Sequence, residues 1–269
     1  MFKAKPGRAQ ESVFARRKRV YTLTLLGVIG FYLLASLVTQ FSAKDGISAL
    51  PRAFSWIVGN LVPTEKALRR LPNILQKLME TTLLSISVTV VAGLFAFFFS
   101  LLGSKTTGAH RWIGRLVRIA AAFFRNVPDV VWAMLLLFSF GQNILTGFFA
   151  LFFTTFGMLT RTFIETIDEV SAACTEALSA TGATYLQTVF QAIIPSSISE
   201  MLTWVLFMIE TNIRSSTLIG MLTATGIGYL FDLYYKRLDY GSASLVVLCI
   251  VLTVILIETL STRIRKVIL

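Results

Sequence analysis

The sequence predicts an all-α integral membrane protein with about six transmembrane helices. Of its 269 residues, 55% are hydrophobic and only 14% are charged, which is too apolar a balance for a soluble domain of this length. Several apolar runs have the roughly 20 residues that a helix needs to cross a bilayer core of about 30 Å. Strand-like alternation is absent, so a helical bundle is favoured over a barrel.

The formal charge of +11 indicates where the chain lies. Excess Lys and Arg in a membrane protein usually collect at the cytoplasmic face, beside anionic lipid. We therefore expect a lipid bilayer, and no nucleic acid, as a partner. The two cysteines indicate no disulfide framework, and the single histidine, His110, forms no Cys/His cluster, so no metal site is expected.

The first 77 residues predict a tail, a span and a connection. Residues 1–19 are basic and polar, which is typical of a cytoplasmic tail. The apolar run 20–41 is too long for the core of a cleaved signal peptide and is followed by no convincing cleavage site, so it predicts a first membrane span. Residues 42–77 carry mixed charge and are interpreted as an external connection that ends in an amphipathic helix near 67–77.

Residues 78–265 predict the main transmembrane domain. A short basic loop is expected at 104–118, and a Gly-rich external segment is expected before Gly241. Lys and Arg are more frequent in the segments that six spans place on the side of the termini, so both termini are expected in the cytoplasm. The five further spans are expected at about 78–103, from the basic loop to 140, 144–165, 197–221 and 242–262.

A polar segment, 166–196, interrupts the apolar runs between the fourth and fifth spans. A capping signal at Thr166 predicts the start of a helix, and Gly182 predicts its left-handed end. A second capping signal at Thr184 opens another helix, which Pro195 ends or passes to the next element. The pattern therefore predicts a helix, a tight turn and a second helix.

This segment resembles the EAA loop of the membrane subunits of binding-protein-dependent ABC importers. The resemblance is carried by Glu176, Ala177, Gly182 and Pro195, and it departs where Leu178 replaces a second Ala. It implies that the segment docks in a cleft of a separate ATPase, with the glutamate holding it there and the glycine allowing the turn. The alternative is an ordinary surface hairpin between two spans.

No segment predicts a nucleotide site in this chain. Residues 103–106 end like a phosphate-binding loop, but Ser104 stands where glycine is required. Residues 226–228 begin like a dinucleotide motif, but Phe231 occupies the third glycine position. We therefore expect no cofactor and no enzyme activity here, and we expect ATP and Mg to bind to another polypeptide.

Polar residues interrupt the third span at Arg125, Asn126, Pro128 and Asp129. Pro128 weakens the helix, and Asn126 is expected to cap the segment that follows, giving a broken helix. Its amide dipoles and Arg125 would favour an anion nearby. The alternative is that Arg125 and Asp129 form an ion pair one turn apart.

Charged residues inside a span are costly and therefore indicate a role. In the fifth span, Glu210 and Arg214 have the order that favours an internal ion pair. The alternative is that Arg214 and Asn212 line the translocation path. In the fourth span, Arg161 and Glu165 are interpreted as a structural pair.

Longer runs resemble the phosphonate-type (PhnE-like) ABC permeases over about residues 75–265. The resemblance implies a type I ABC importer permease (MetI-like) bundle in the bacterial inner membrane. It also implies uptake of a phosphonate, phosphite or related phosphorus oxyanion. The implied partners are an extracytoplasmic binding protein, an ATPase pair and a second permease copy, identical or paralogous. The runs are FRNVPDVVWAMLLLFSFGQNILTGFFAL, EALSATGATYLQTVFQAIIP and IETNIRSSTLIGMLTATGIG.

The chain departs from that family where GAGGIG is replaced by TATGIG at 223–228. Two alternatives therefore stay open: a permease of this fold for another solute such as methionine, and a membrane enzyme acting on a phosphorylated lipid. The enzyme is disfavoured because the sequence offers no nucleophile in a suitable constellation. The candidate path residues are Arg125, Asn126, Asn212, Arg214, Gly226 and Gly228.

Overall fold

A computed structural model describes residues 13–60, 62–108, 110–180 and 182–268. The side chains of 13, 171–177, 179–180 and 267–268 lie outside this description. All regular secondary structure within these ranges is helical, and five helices are long and apolar enough to cross a membrane, or six if one bent pair forms a single span. The predicted fold class is therefore confirmed for the described chain.

The chain divides into two compact units between residues 59 and 60. In the first unit, α1 (Val13–Thr39) is the helix on which the first expected span falls. Helix α2 (Ala43–Asn60) carries Pro51 inside it and exposes Phe54 and Trp56. Such a helix, with apolar and polar faces, is typical of the membrane interface.

The second unit begins with α3 (Glu65–Leu68) and α4 (Leu71–Gly103). The separate helix expected at 67–77 is wrong, because residues from 71 onward are the first turns of α4. Pro72 fits there, since the first turn of a helix has no partner for the missing N–H. Ile74 is fully buried and begins the packed face that continues along α4.

Helices α5 (Arg111–Asn126) and α6 (Asp129–Phe140) meet at an angle of 90°. The predicted break at Pro128 is confirmed, and the proline forces the residue before it into an extended conformation. The expected cap is wrong: Asn126 ends α5, and Val130 N donates to Asp129 Oδ1 (2.9 Å) at the start of α6. The expected basic loop is also shorter, because α5 already begins at Arg111, the first arginine of that loop.

Helix α7 (Ile144–Ala180) is a single helix of 37 residues. The helix start predicted at Thr166 is therefore wrong. Thr166 and Ile167 are both buried, so the packed face of the fourth span continues through this position. A capping pattern stabilises a helix end only where the backbone N–H groups lack partners, and inside a continuous helix they are already bonded.

A continuous helical stretch then runs from α8 (Tyr185–Thr188) through a π-helical turn (Val189–Ile193) into α9 (Ile194–Thr223). Pro195 lies in the first turn of α9 and therefore passes the chain to the next helix instead of ending it. Proline removes one backbone N–H and crowds the carbonyl four residues before it. The wider turn directly before Pro195 accommodates that change.

Helices α10 (Gly226–Lys236) and α11 (Tyr240–Ile268) complete the unit. The segment expected to be an irregular external connection thus contains a helix of 11 residues. Ala224 ends α9 in a left-handed conformation (φ 55°), which reverses the chain so that α10 packs back on α4, α9 and α11. A buried cluster joins α4, α7, the π-helical turn and α9; it includes Ala96, Leu159, Phe163, Ile193 and Met201.

Candidate functional site

The 166–196 segment comprises the last turns of α7, a tight turn, α8, the π-helical turn and Pro195. Gly182 has φ 77°, and Ala183 N donates to Leu178 O (3.2 Å) across the turn. The predicted left-handed glycine is confirmed, because this conformation disfavours residues with a side chain. A Cβ atom at Gly182 would meet no described residue within 4 Å, so the turn is open toward that part of the chain.

The second predicted capping box is also confirmed. Thr184 N donates to Gln187 Oε1 (2.9 Å), and Thr188 N donates to Thr184 O (3.0 Å). These bonds satisfy backbone groups that a helix start otherwise leaves without partners. The direction in which α8 leaves the turn is therefore fixed locally.

Glu176 and Ala177 lie in the last turn and a half of α7 before the glycine turn. Their side chains, and the whole of Thr181, lie outside the described residues. The roles predicted for Glu176, Ala177, Gly182 and Pro195 in docking an ATPase therefore stay predictions.

The helix that follows the glycine turn, α8 and the π-helical turn after it, exposes apolar side chains. Tyr185, Leu186 and Phe190 are 55%, 63% and 65% exposed, respectively, and none of the three is charged. Exposed aromatic and aliphatic groups beside a tight turn are typical of a surface that packs against another protein. Since α7 and α9 are the candidate spans on either side, this surface lies at the end of the bundle.

A carboxylate ties the 166–196 segment to the loop after α4. Asp168 Oδ1 accepts hydrogen bonds from Ser104 Oγ (2.6 Å) and from Lys105 N (2.8 Å). Asp168 Oδ2 lies 3.7 Å from Arg118 Nη2. Charge-assisted bonds of this kind are roughly twice as strong as neutral ones.

Two further contacts complete this connection. Arg118 Nε and Nη2 both donate to Gly103 O, at 2.9 and 2.7 Å, which fixes α5 to the end of α4. Tyr185 Oη donates to Thr107 O, beyond the glycine turn. Loop 104–107 therefore holds the 166–196 segment on both sides of Gly182. We call these contacts the brace.

The sequence did not predict the brace, because the partners that join loop 104–107 to the 166–196 segment are separated by more than 60 positions. The one signal was indirect: Ser104 and Asp168 are small polar residues directly after apolar runs. Such residues often cap or cross-link helix ends, but the sequence does not say which end meets which.

The broken helix brings Arg125, Asn126 and Asp129 together at one bend. Among the residues that the structure describes, neither Arg125 nor Asp129 has an ion-pair partner within 4.0 Å, so the expected pair does not form. Asn126 is exposed at the end of α5. The part of Arg125 and Asn126 in a translocation path stays a prediction.

The other two one-turn pairs form, but the pair in α9 is not internal, because its arginine is exposed. Arg214 Nη2 donates to Glu210 Oε1, with the arginine side chain 54% exposed and the glutamate 14%. Arg161 Nε donates to Glu165 Oε1 (2.8 Å). Arg214 thus lies on an open face of α9 with its charge partly balanced, and its place in a path stays a prediction.

Asn212 is buried at a junction of three helices. Its Nδ2 donates to Thr89 Oγ1 of α4 (2.8 Å) and Thr155 Oγ1 of α7 (2.9 Å). Ser85 Oγ and Ser216 Oγ bond beside it (3.1 Å). These contacts connect α4, α7 and α9 through polar groups, which is a common way to hold helices together in lipid. No contact here supports the predicted path role of Asn212.

Gly226 and Gly228 lie where α10 approaches its neighbours. A Cβ at Gly226 would stand 2.3 Å from Thr81 Oγ1, and one at Gly228 would stand 2.0 Å from Thr217 O. Ile227 N donates to Thr81 Oγ1 (2.9 Å), which fixes α10 on α4. The two glycines therefore allow close packing. Their predicted place in a path stays untested.

The sequence from residue 100 to residue 268 matches a known family, the binding-protein-dependent transport system inner membrane components. The match includes the brace, the glycine turn and every span after α4. The chain belongs to this family. It is therefore a multi-pass membrane permease, and membership favours transport over the membrane enzyme considered above.

Individual relatives agree with this assignment. The permease is 28% identical over 255 residues to the putative phosphite transport system permease protein HtxC of Stutzerimonas stutzeri, covering 95% of this chain and 89% of that one. It is 28% identical over 192 residues to the phosphate-import permease protein PhnE of Mycolicibacterium smegmatis (strain ATCC 700084 / mc(2)155). That match covers 71% of this chain and 36% of the relative, so the permease spans about a third of that protein.

A solved structure shows the same fold. An inward-facing MetNI methionine ABC transporter superimposes with a TM-score of 0.64 at 18% identity, covering 77% of this chain and 99% of that chain. The predicted MetI-like bundle is thereby confirmed. At this level of identity the likeness concerns the fold alone.

Proposed function

We propose that the permease is the membrane-spanning subunit of an ATP-driven importer for a phosphorus oxyanion such as a phosphonate or phosphite. The names of the relatives, a putative phosphite permease and a phosphate-import permease, support this cargo class. Phosphorus oxyanions are small and negatively charged, and this permease carries a half-buried Arg125 at the bend and an exposed Arg214 on α9. Such donors suit brief contacts along a path, since tight binding would stall the cargo.

The observation that carries the proposal is the glycine turn with its exposed apolar face. An importer without a nucleotide site of its own needs a surface on which an ATPase docks, so that the conformational change of the ATPase moves the membrane subunit. Leu186 and Phe190 offer that surface, and Gly182 shapes it. The partner ATPase binds ATP and Mg, and each of two permease copies presents one such turn to one ATPase subunit.

The brace gives this surface a mechanical connection to the spans. Closure of the ATPase pair would move the glycine turns, and α7 and α9 continue from the turn into the membrane without a break. Since Asp168 and Tyr185 hold loop 104–107, α4 and α5 move with them. The two copies then rock between inward and outward access.

The remaining partners follow from the same proposal. An extracytoplasmic binding protein delivers the cargo, and the second copy is either identical or a paralogue. Both termini and the glycine turn lie on the cytoplasmic side of the inner membrane, where the ATPase is. The basic residues near Lys105 and Arg115 agree with that side.

The test is ATP-driven uptake by the reconstituted importer. Purification of the tagged permease should yield an ATPase in fixed ratio, and vesicles holding the complex and its binding protein should take up phosphite or methylphosphonate when ATP is supplied. Calorimetry of the binding protein with phosphonate, phosphite, phosphate and methionine ranks the cargo directly. Uptake of methionine in preference to every phosphorus oxyanion would overturn the cargo, and turnover of a lipid by the permease alone would overturn transport.

A further inference from the structure

A basic cavity lies beside the brace, where α4 ends and α5 begins. Its volume is about 370 Å³. Basic side chains from the loop and from the first two turns of α5 line it, and no Asp or Glu is among its lining residues in the described chain. Three glycines, at 103, 108 and 114, leave part of the wall without side chains. Its basic lining comprises Lys105, His110, Arg111, Arg115 and Arg118.

Two of the Lys and Arg side chains in this lining have no internal partner among the described residues. Within the described ranges, Lys105 and Arg111 have no side-chain hydrogen bond or ion pair. Arg115 stacks over the ring of Trp112, with 5.1 Å between its guanidinium carbon and the ring centroid. Arg118 donates to Gly103 O, and its Nη2 lies 3.7 Å from Asp168 Oδ2. Like charges gathered around one cavity repel each other, and an anion in the cavity would offset that repulsion.

The cavity is at the end of a candidate membrane span, where lipid headgroups are expected. Helix α4 is a candidate membrane span that ends at Gly103, and Gly103 lines the cavity. A span leaves the hydrocarbon where its apolar run ends, and phosphate groups of the lipids lie there. Trp112, which stacks with Arg115 of the lining, is exposed, as is typical of residues at the membrane interface.

An apolar stripe runs along α5 away from the cavity. Trp112, Leu116, Ile119 and Phe123 are exposed and recur at helical spacing, so they form one face. The arginines of α5 lie on a neighbouring face, and Val117 on the packed face. A phosphate in the cavity would therefore have an apolar surface directly beside it, long enough for an acyl chain.

We propose that this cavity binds the phosphate headgroup of an anionic phospholipid, with an acyl chain along the exposed stripe of α5. A free oxyanion shares the phosphate chemistry, but it leaves the apolar stripe uncovered. The bound lipid would lie against loop 104–107 and so support the brace. The inference concerns this chain and its bilayer and does not depend on the cargo of the importer.

Native mass spectrometry of the full-length permease in mild detergent measures this binding. Phosphatidylglycerol should bind with clear preference over phosphatidylcholine. The double variant Lys105→Gln/Arg111→Gln should weaken it by about tenfold or more, the loss expected when two cations beside an anionic headgroup are neutralised. The matched control Arg263→Gln/Lys266→Gln removes two exposed cations at the end of α11 and should change binding less than about twofold.

Three results would overturn the proposal. An equal loss in both double variants would show that only general charge attraction acts. If the wild-type protein bound the two lipids equally well, that result alone would contradict an anion site. Displacement of phosphatidylglycerol by millimolar inorganic phosphate or methylphosphonate would assign the cavity to a free oxyanion. If the double variant fails to fold, Arg111→Lys should keep the preference and Arg111→Glu should remove it.

Discussion

Asp168→Asn is the substitution that tests the brace most sharply. Asp168 accepts two hydrogen bonds through one oxygen, at 2.6 and 2.8 Å, and its other oxygen lies 3.7 Å from Arg118. Asparagine keeps the size and one acceptor but removes the charge. Hydrogen bonds to a charged group contribute about 1 kcal/mol more than neutral ones, and a partly exposed ion pair contributes about 0.5 kcal/mol. Loop 104–107 should therefore loosen by about 2 kcal/mol.

Hydrogen exchange measures the loss of local stability in loop 104–107, and ATP-driven uptake measures the effect of that loss on transport. A change of about 2 kcal/mol corresponds to roughly 30-fold faster exchange of amides 105–107, if they exchange by local opening. ATP-driven uptake should fall while ATP hydrolysis by the assembled complex continues, because movement of the glycine turn is then transmitted less efficiently to the membrane spans. Glu169→Gln removes the same charge one residue on, from an exposed position, and should change neither quantity. Unchanged exchange and uptake in Asp168→Asn would refute the brace.

Three further predictions follow from packing, charge and the open faces. Gly228→Ala should reduce the amount of folded permease measured by size-exclusion chromatography, because its Cβ would stand 2.0 Å from a backbone oxygen of α9. The control Gly147→Ala, whose Cβ would have its neighbours at 3.6 Å or more, should not. Burial raises the pKa of Asp239, but hydrogen bonds from Ser242 and the charge of Arg70 outweigh it and hold the pKa below 3.8. Asp239→Asn should therefore lower the melting temperature at pH 7 by the equivalent of about 1 kcal/mol, and the difference should vanish as the pH falls through the depressed pKa. Arg214→Gln should lower cargo uptake and leave basal ATP hydrolysis unchanged; equal uptake would leave Arg214 with a structural role only.

Local features of the fold could be predicted because each is set by residues near it in sequence. The apolar runs gave the spans, Pro128 gave the broken helix, and Thr184 and Gly182 gave the capped turn. The spans follow from the number of apolar residues needed to cross a bilayer. The broken helix follows from the N–H that proline lacks, and the turn follows from the left-handed conformation that glycine allows. They hold in almost any tertiary context.

Features that depend on packing could not be predicted. Thr166 carries a capping pattern, but burial of its face continues α7 through it. The sequence left open whether Pro195 ends a helix or passes it to the next element, and the π-helical turn that keeps the helix continuous was not predicted. Asn212 looked like a path residue because a polar side chain in a span is costly, and the threonines that satisfy it come from two other helices. In each case the deciding partner is far away in sequence.

ATP-driven uptake by Gly182→Asp tests the central claim, that the glycine turn receives work from an ATPase. A Cβ atom here would meet no described residue within 4 Å, and aspartate tolerates a positive φ better than most residues, so the variant should insert and melt like the wild type. It places a new charge beside the exposed apolar face. We expect normal insertion with ATP-driven uptake lowered by about tenfold or more, as for a charge set in an apolar interface. Uptake at the wild-type rate would contradict the claim.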